Sequence, residues 1–504
     1  MELLTERYKE KILGVLGCYD RVLVTGTIPT ICYSQGMTGY LYSKGIRIFD
    51  YPKFVEPYRE ALRENAEKLA KENGIEIEFV KNSKARKEDI VRKAVEKNGK
   101  KEGLLHVLSA MEMCSTYKPW HDKQTGKTFL KGDTSKCLHY YFYFQDEDLG
   151  YGYIRVPTWC PFRLQIYFNG HGLLANELKR QKIKYNTIDN AFDYISDFKK
   201  AQEISASIKV ENLHKILDRL SSMYCPVYTV FGQVYHWSIM QAEYSTDIIF
   251  KSKEALQPIY EELVKVAIHT VKPDNIATFL GQKLHGKYEG EIGNNYNVRI
   301  EGSKIKHTMG EASIKIYDKF GRILRIETTV NNVSFFKHYR TVEHRDGTTS
   351  QKLAGLKKNI YSLGFLQEHL MAANRRYLEF ISTIEDHNVG KNNLKKLTLP
   401  TVEKNRTYKG FNLFDEKDYA VLNTILRGEF NINGFRSKHI KKYLANKSSS
   451  QITRILKRLN LHGLIKKVGK TYKYYVSEFG KTVITACMKI QKMIIIPNLN
   501  YVKV

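Results

Sequence analysis

The sequence predicts a multidomain protein mixing α/β and α+β classes. Three observations carry that expectation. A chain of 504 residues exceeds what one core usually holds. Along the first 385 residues the apolar spacing switches between a period near 3.6 and a period of two. The last hundred residues read as helices followed by a hairpin, in a far more basic composition. The expected domains are an α/β domain with a tyrosine-rich antiparallel sheet (1–200), a central α+β domain (201–385), a polar linker (386–409) and a C-terminal unit (410–504).

Taken in order, residues 1–17 have amphipathic helical spacing, and Arg21-Val-Leu-Val-Thr-Gly26 is a short apolar strand ended by glycine. A long helix is expected over 55–72, a strand at IEIEFVK, a helix over 87–97 and a buried strand at GLLHVLSAM. HYYFYFQDEDLGYGYIRVPTW and PFRLQIYFNG give three antiparallel strands, and a helix over 171–181 closes the run. In the second region 211–223 is helical, 234–270 reads as mostly helical after its first few residues, 281–331 is β-like and 363–384 is a helix. Residues 386–409 have no apolar periodicity, which makes them the linker.

Charge narrows the function classes. The chain carries 81 Lys and Arg against 53 Asp and Glu, a net +28. Residues 401–504 hold 21 of those bases and only 6 acids, a net of +15 in a fifth of the chain. Such an excess points to a polyanionic partner, and nucleic acid is the expected one. No run of eighteen uncharged apolar residues suggests a membrane span, and MELLTERYKEKILG does not read as a secretory signal. Seven scattered cysteines without a C-x-x-C pair fit a reducing, cytoplasmic setting rather than a disulfide framework or structural zinc. Without a G-x-x-x-x-G-K-[ST] loop, no nucleotide cofactor is indicated.

In the tail, helices are expected over 417–427, 437–444 and 451–461, then a hairpin turning near Gly469-Lys470 and a last helix. This order resembles the winged helix-turn-helix of MarR-like transcription regulators. Ile452, Ile455, Leu456 and Leu459 form the inner side of the third helix. Gln451, Arg454, Lys457 and Arg458 are its candidate DNA-binding face, with Lys466, Lys467, Lys470 and Lys473 on the wing.

Strands around 139–145, 151–155 and 161–169 place Tyr141, Tyr143, Arg155, Arg163, Gln165 and Tyr167 as a candidate single-strand-binding surface for DNA or RNA. The plain alternative is a solvent-facing sheet or one covered by another domain, since tyrosine also suits half-buried strands. Asp20, Glu112, Asp146 and Asp148 are strand-end acids of the type that hold metal in nucleases.

The most distinctive stretch is SIKIYDKFGRILRIETTVN, 313–331. A three-residue loop, Phe320-Gly321-Arg322, keeps alternation in phase and pairs Tyr317 with Arg325, Lys315 with Glu327 and Ile316 with Ile326. One side is then apolar, and the other displays Lys315, Tyr317, Lys319, Arg325 and Glu327.

Ser-x-x-x-Tyr-Asp-Lys followed by Arg-x-Glu resembles the end of the catalytic domain of rolling-circle replication initiators from plasmids and filamentous phage. The resemblance implies that Glu327 is a metal ligand, that Lys319 and Arg325 contact phosphate, and that a hydroxyl attacks the phosphodiester. The position of the family's attacking tyrosine falls on Ser313; Tyr317 and Tyr296 are the other candidate nucleophiles. Glu243 and Asp247, four apart, join His307 and Glu327 as the expected cluster for Mg²⁺ or Mn²⁺. The whole chain is also similar to a bacterial family in which YDRVLVTGT, VPTWCPFRLQIYFNGH and IKIYDKFGRILRIETTVN recur, usually labelled MarR-like from its tail.

The expected function is a nucleic-acid-binding protein of a mobile element. It joins an initiator-like core, with metal-dependent DNA nicking as its candidate activity, to a winged helix that binds duplex DNA. A homodimer is the expected assembly. The competing classes are a non-catalytic MarR-like transcription regulator and an RNA-binding ribonucleoprotein component.

Overall fold

Strand pairing organises the first of two units, residues Met1–Glu385 and Asp386–Val504. The computed structural model describes residues 2–499 except 83, 208, 285–287, 289, 300–301, 386–393 and 470. In chain order the strands of the first unit begin with β1 Ile12–Thr27, β2 Ile77–Phe79, β3 Gly103–His121, β4 Thr128–Asp146, β5 Gly150–Pro157 and β6 Leu164–Phe168. Next come β7 Tyr185–Thr187, β8 Phe192–Ile195, β9 His236–Phe250, β10 Ile292–Arg299, β11 Gly302–Met309, β12 Ala312–Lys319 and β13 Ile323–Val330. Eleven of them form one sheet in the order β10-β11-β12-β13-β9-β1-β6-β5-β4-β3-β2, while β7 and β8 pair with each other. The β2–β3 pair is parallel.

The expected boundary near residue 200 does not exist. β1 pairs with β6 along one edge and with β9 along the other, so the two regions share their central strands. One face of the sheet supplies Val22, Val24, Ile154, Ile166, Ile248, Ile316 and Ile326 to a large core. Helices Tyr51–Glu72, Val210–Tyr224, Lys253–Thr270 and Leu363–Glu385 pack against it from that side, with Met37, Leu41 and Phe279 of shorter helices joining the same core. The other face is polar in its middle. Helices Gly170–Arg180 and Phe198–Ala206 cover it near one end of β1, and Lys87–Asn98 covers it over β3 to β5.

Two expected helices are strands. Among the described residues, 2–17 hold the short helix Leu4–Arg7 and a 3-10 turn, Lys9–Lys11, before β1 begins at Ile12. β1 is central and buried on both sides, so its apolar residues lack clean alternation and mimic a helical stripe. Likewise 236–250 is β9, and the helix starts only at Lys253. Polar residues on one side of β9 are buried among partners, which blurs the period of two. The hairpin register, by contrast, is the expected one: Tyr317 faces Arg325 and Lys315 faces Glu327, with Gly321 in the loop at φ 72°. It is not a surface hairpin, however. β12 and β13 lie inside the sheet, between β11 and β9.

The second unit packs helices Glu416–Ile425, Ser437–Tyr443, Ser449–Leu461 and Glu478–Lys489 with the hairpin Ile465–Lys467/Tyr474–Val476. Leu422, Ile425, Ile440, Ile452, Leu456, Leu459 and Ile484 meet in its core. Ser448 caps the third of these helices: its hydroxyl accepts from the Gln451 backbone N–H, and the Gln451 side chain accepts from the Ser448 N–H. The expected linker is only partly a connector. Residues 386–393 lie outside the described residues, but 401–408 form a short hairpin, and Leu397 and Phe411 are buried in this unit's core. Among the described residues no helix is long and apolar enough to cross a membrane.

Asn374 ties the helix Leu363–Glu385 to the centre of the sheet. Its amide nitrogen donates to the carbonyls of Tyr244 and Ile326 and to Thr246 Oγ1, and its oxygen accepts from Thr328 Oγ1 at 2.6 Å. Asn374→Ala removes all four bonds inside a buried core and is expected to destabilise the first unit by about 2–4 kcal/mol. Chemical denaturation of the variant, with no effect on the tail's own transition, checks this.

Candidate functional site

Three neighbouring strands, β13, β9 and β1, bring acids together on the polar face. Asp20 sits at an irregularity in β1 between Tyr19 and Arg21, where the extra residue re-aims its side chain toward β9. Glu243 faces Arg21 across the β1–β9 ladder, and Glu327 faces Ser245 across β9–β13. One carboxylate oxygen each from Asp20, Glu243 and Glu327 lies within 4.8 Å of the others. Glu243 is the way in. It keeps 18% of its side chain exposed, against 8% for Asp20 and 3% for Glu327.

Around this triad the charges are fixed by buried partners. Arg325 has no exposed surface; its Nε and Nη2 donate to Asp247 at 2.6 Å, and its Nη1 lies 3.2 Å from Asp20 Oδ2. Burial opposes the charge on Asp247 and Asp20, yet Arg325 overcomes it and holds both carboxyls below the usual range. His171 stands between them, 3.4 Å from Asp20 and 3.7 Å from Asp247. Its helix can approach so closely because residue 170 is glycine: a Cβ there would meet the Tyr19 carbonyl oxygen at 2.3 Å. Asn190 completes this side, donating to Asp20 at 2.7 Å, accepting from Arg325 on its backbone carbonyl and contacting Lys319 Nζ.

Lys315 Nζ contacts Glu327 and lies 3.6 Å from Glu243, and Tyr317 donates to Glu327 Oε2 at 2.6 Å. Burial pushes the Glu327 carboxyl up, but Lys315 pulls it down further, so Glu327 is ionised. Burial and the Glu327 charge together raise Glu243, whose nearest cation is already held by Glu327. The Lys319 ammonium is lowered to about 8 by burial and by Arg325. The donor set is three hard carboxylates, a type that suits an oxygen-seeking divalent cation.

Of the expected metal ligands, the fold brings Glu243 and Glu327 together and adds Asp20, which the sequence offered only as a strand-end acid. Asp247 is committed to Arg325. His307 is elsewhere: fully buried, it bonds Asn294 Oδ1 at 2.6 Å and Tyr377 Oη at 2.9 Å on the other side of the sheet. Tyr317 is a clamp on Glu327, its phenol pushed well above its ordinary value by burial, which disfavours attack as a phenolate. Ser313 lies on the same side of β12 two positions before Lys315, opposite Thr329. Tyr296 pairs with Ile305 in the ladder, and its side chain lies outside the described residues. Arg325, expected to touch phosphate, is sealed inside the protein.

The tyrosine surface is largely covered. Tyr141 and Tyr143 are buried beneath the helix Lys87–Asn98. Tyr141 donates to Glu112, which also holds Lys87 and Arg155; burial resists, but these partners bring the Glu112 carboxyl down to about 2. Tyr167 stacks on Tyr153 and lies under Arg21. Asp146 and Asp148 pair with Arg219 and Arg180. Arg163 remains exposed and Gln165 half-exposed.

In the tail, Arg458 turns inward: it pairs with Asp418 at 2.7 Å, bonds the Lys409 and Gly410 carbonyls and stacks on Phe411 at 3.8 Å. Lys457 pairs with Glu403, and the Gln451 side chain serves the helix cap. Arg454, Lys466 and Lys467 are exposed and Lys473 half-exposed, while Lys470 lies outside the described residues.

No protein-family model matches the sequence, and no curated protein or solved structure matches it.

His307 supplies a pH test. Burial lowers its pKa to about 4. Between pH 6.5 and 4 the unfolded chain takes a proton that the folded chain refuses, so stability falls as pH falls through that window. The expected loss is up to about 3 kcal/mol across it, and His307→Gln should flatten that part of the curve in unfolding measurements between about pH 8 and 4.

Proposed function

We propose that the chain is a nucleic-acid-binding protein whose sheet carries a metal-dependent phosphodiester site, formed by Asp20, Glu243 and Glu327. The observation that carries this is the convergence of three carboxylates from three adjacent strands, with oxygens within 4.8 Å of one another. Mg²⁺ or Mn²⁺ held there would spread the charge on a phosphodiester and supply a nucleophile at neutral pH. Lys315 fixes the Glu327 carboxylate and adds positive charge for the developing phosphoryl oxygens. Tyr317 locks the same carboxylate in place, and Arg325 sets the position of Asp20. Nicking by an initiator-like core of a mobile element is the activity these parts support best, with water a better nucleophile than the buried Tyr317.

In this reading the second unit is a winged helix-turn-helix that holds duplex DNA. Exposed Arg454, Lys466 and Lys467 support that role, and the tail's basic excess supports a polyphosphate partner. One observation favours a second, non-catalytic reading as a transcription regulator or ribonucleoprotein component: the Lys315 ammonium already sits against two of the three carboxylates.

Supercoiled plasmid relaxation separates the two. With Mg²⁺ or Mn²⁺ the protein should relax plasmid, and Asp20→Asn or Glu327→Gln should slow this at least ~100-fold while leaving duplex binding unchanged. Relaxation that survives EDTA or both substitutions, or no relaxation by the unaltered protein with either cation, overturns the catalytic reading. A metal-independent shift of one palindromic duplex would then mark a regulator, and co-purification of a defined RNA a ribonucleoprotein component.

A further inference from the structure

A second feature lies farther along the polar side of the same central strands. Residues of β1 (Thr25), β5 (Arg155), β6 (Gln165) and β9 (Met240), together with Arg163 and Lys358, line an open cleft of about 410 Å³. Among the described residues no carboxylate lines it. Arg155 is neutralised from behind by Glu112 at 2.9 Å. Arg163 and Lys358 are exposed, and neither side chain makes a hydrogen bond or ion pair within the described protein. Trp159, Met113 and Met240 give the walls apolar, polarisable surface; Met113 and Met240 are 55% and 40% exposed, so they face the opening rather than the core.

An independent observation points to a ligand. Thr25 is 7% exposed and lines this cleft, and its Oγ1 is buried without a hydrogen-bond partner among the described residues. A buried hydroxyl left unpaired costs about 1–3 kcal/mol, so it needs something to bond. Gln165 beside it carries one amide N–H toward Met240 sulfur at 3.4 Å, a weak acceptor readily exchanged for a better one.

We propose that this cleft receives one or more unpaired nucleotides of a polynucleotide strand. Arg163 and Lys358 hold the phosphates, Trp159 and the two methionines pack against a base, and Thr25 and Gln165 bond its edge. Cations without acids satisfy a backbone that carries a charge at every residue, and flat or soft apolar walls satisfy any base. A duplex offers no unstacked base, so it does not fill the site. The cleft takes over the role expected of Tyr141 and Tyr143, which the helix Lys87–Asn98 hides. This inference rests on the nucleic-acid reading but not on catalysis by the acidic triad.

The test uses the full chain carrying Asp20→Asn, in EDTA, so that cleavage plays no part. Fluorescence anisotropy is read with labelled oligo(dT) and oligo(U) of equal length and with a duplex. The double substitution Arg163→Glu, Lys358→Glu alters two exposed side chains and leaves the fold intact. It should weaken single-strand binding at least ~10-fold and reduce the salt slope by ~0.7 for each phosphate no longer neutralised, with duplex binding unchanged. Thr25→Val should weaken oligonucleotide binding without lowering stability. Tighter binding of oligo(dT) identifies DNA as the strand and of oligo(U) RNA; either supports the site, as does equal binding. Unchanged single-strand affinity after the double charge reversal, or equal weakening for duplex and single strand, overturns it. Failure of plasmid relaxation with these results intact removes the nuclease reading alone.

Discussion

Arg325 anchors the polar side of the sheet. It is a fully buried cation, and such a charge is tolerated only when its donors are met by well-placed acceptors. Asp247 takes two of its N–H groups, the Asn190 carbonyl accepts another bond, and Asp20 pairs electrostatically with Nη1 at 3.2 Å without a hydrogen bond. These partners come from β9, β1 and the segment before β8, so one guanidinium sets the register and spacing of three elements. Arg325 serves Asp247 and Asp20, so Glu243 shares Lys315 with Glu327, at 3.6 Å, and faces Arg21. At the open edge of the cluster, burial and the neighbouring Glu327 carboxylate together outweigh the pull of Lys315 and Arg21 on Glu243.

The sheet has two working sides of different character. One face is a continuous apolar core under four long helices, rigid enough to hold strands carrying buried ions. The other is covered at two places and open between them. Where the helix Gly170–Arg180 presses on β1 it brings His171 against Asp20, and where Lys87–Asn98 lies over β4 it shuts away the tyrosines. The uncovered stretch runs from Glu243 toward Thr25, Arg163 and Lys358, and both candidate features open there. The tail treats buried charge in the same way, with Arg458 committed to Asp418 and Phe411 to fix a helix whose Arg454 faces outward.

Much of the local order is legible without the fold. The 313–331 hairpin can be registered from parity alone, because a loop of the wrong length would mix an apolar side with a charged one. A helical reading puts Glu243 and Asp247 on one side, and they share a side in β9 too, since four is a multiple of the strand period as well. What misleads is the middle of the sheet. In β1 and β9 both sides are buried, so polar residues no longer mark solvent and alternation ceases to report an element's type.

Residue order alone was enough to establish the basic excess and its concentration in the tail, the helices and hairpin there, the tyrosine-bearing strands and the pairing of Lys315 with Glu327 and Tyr317 with Arg325. These are properties of composition and of neighbours within a few residues, which short-range sterics and polarity encode. Long-range packing, by contrast, brings Asp20 to Glu243 and Glu327, keeps His307 away from them, and hides Tyr141, Tyr143 and Arg325. Those outcomes depend on which strands become neighbours across distant parts of the chain and which helix settles on which face. Burial energy over the whole chain sets that choice, and no local pattern carries it.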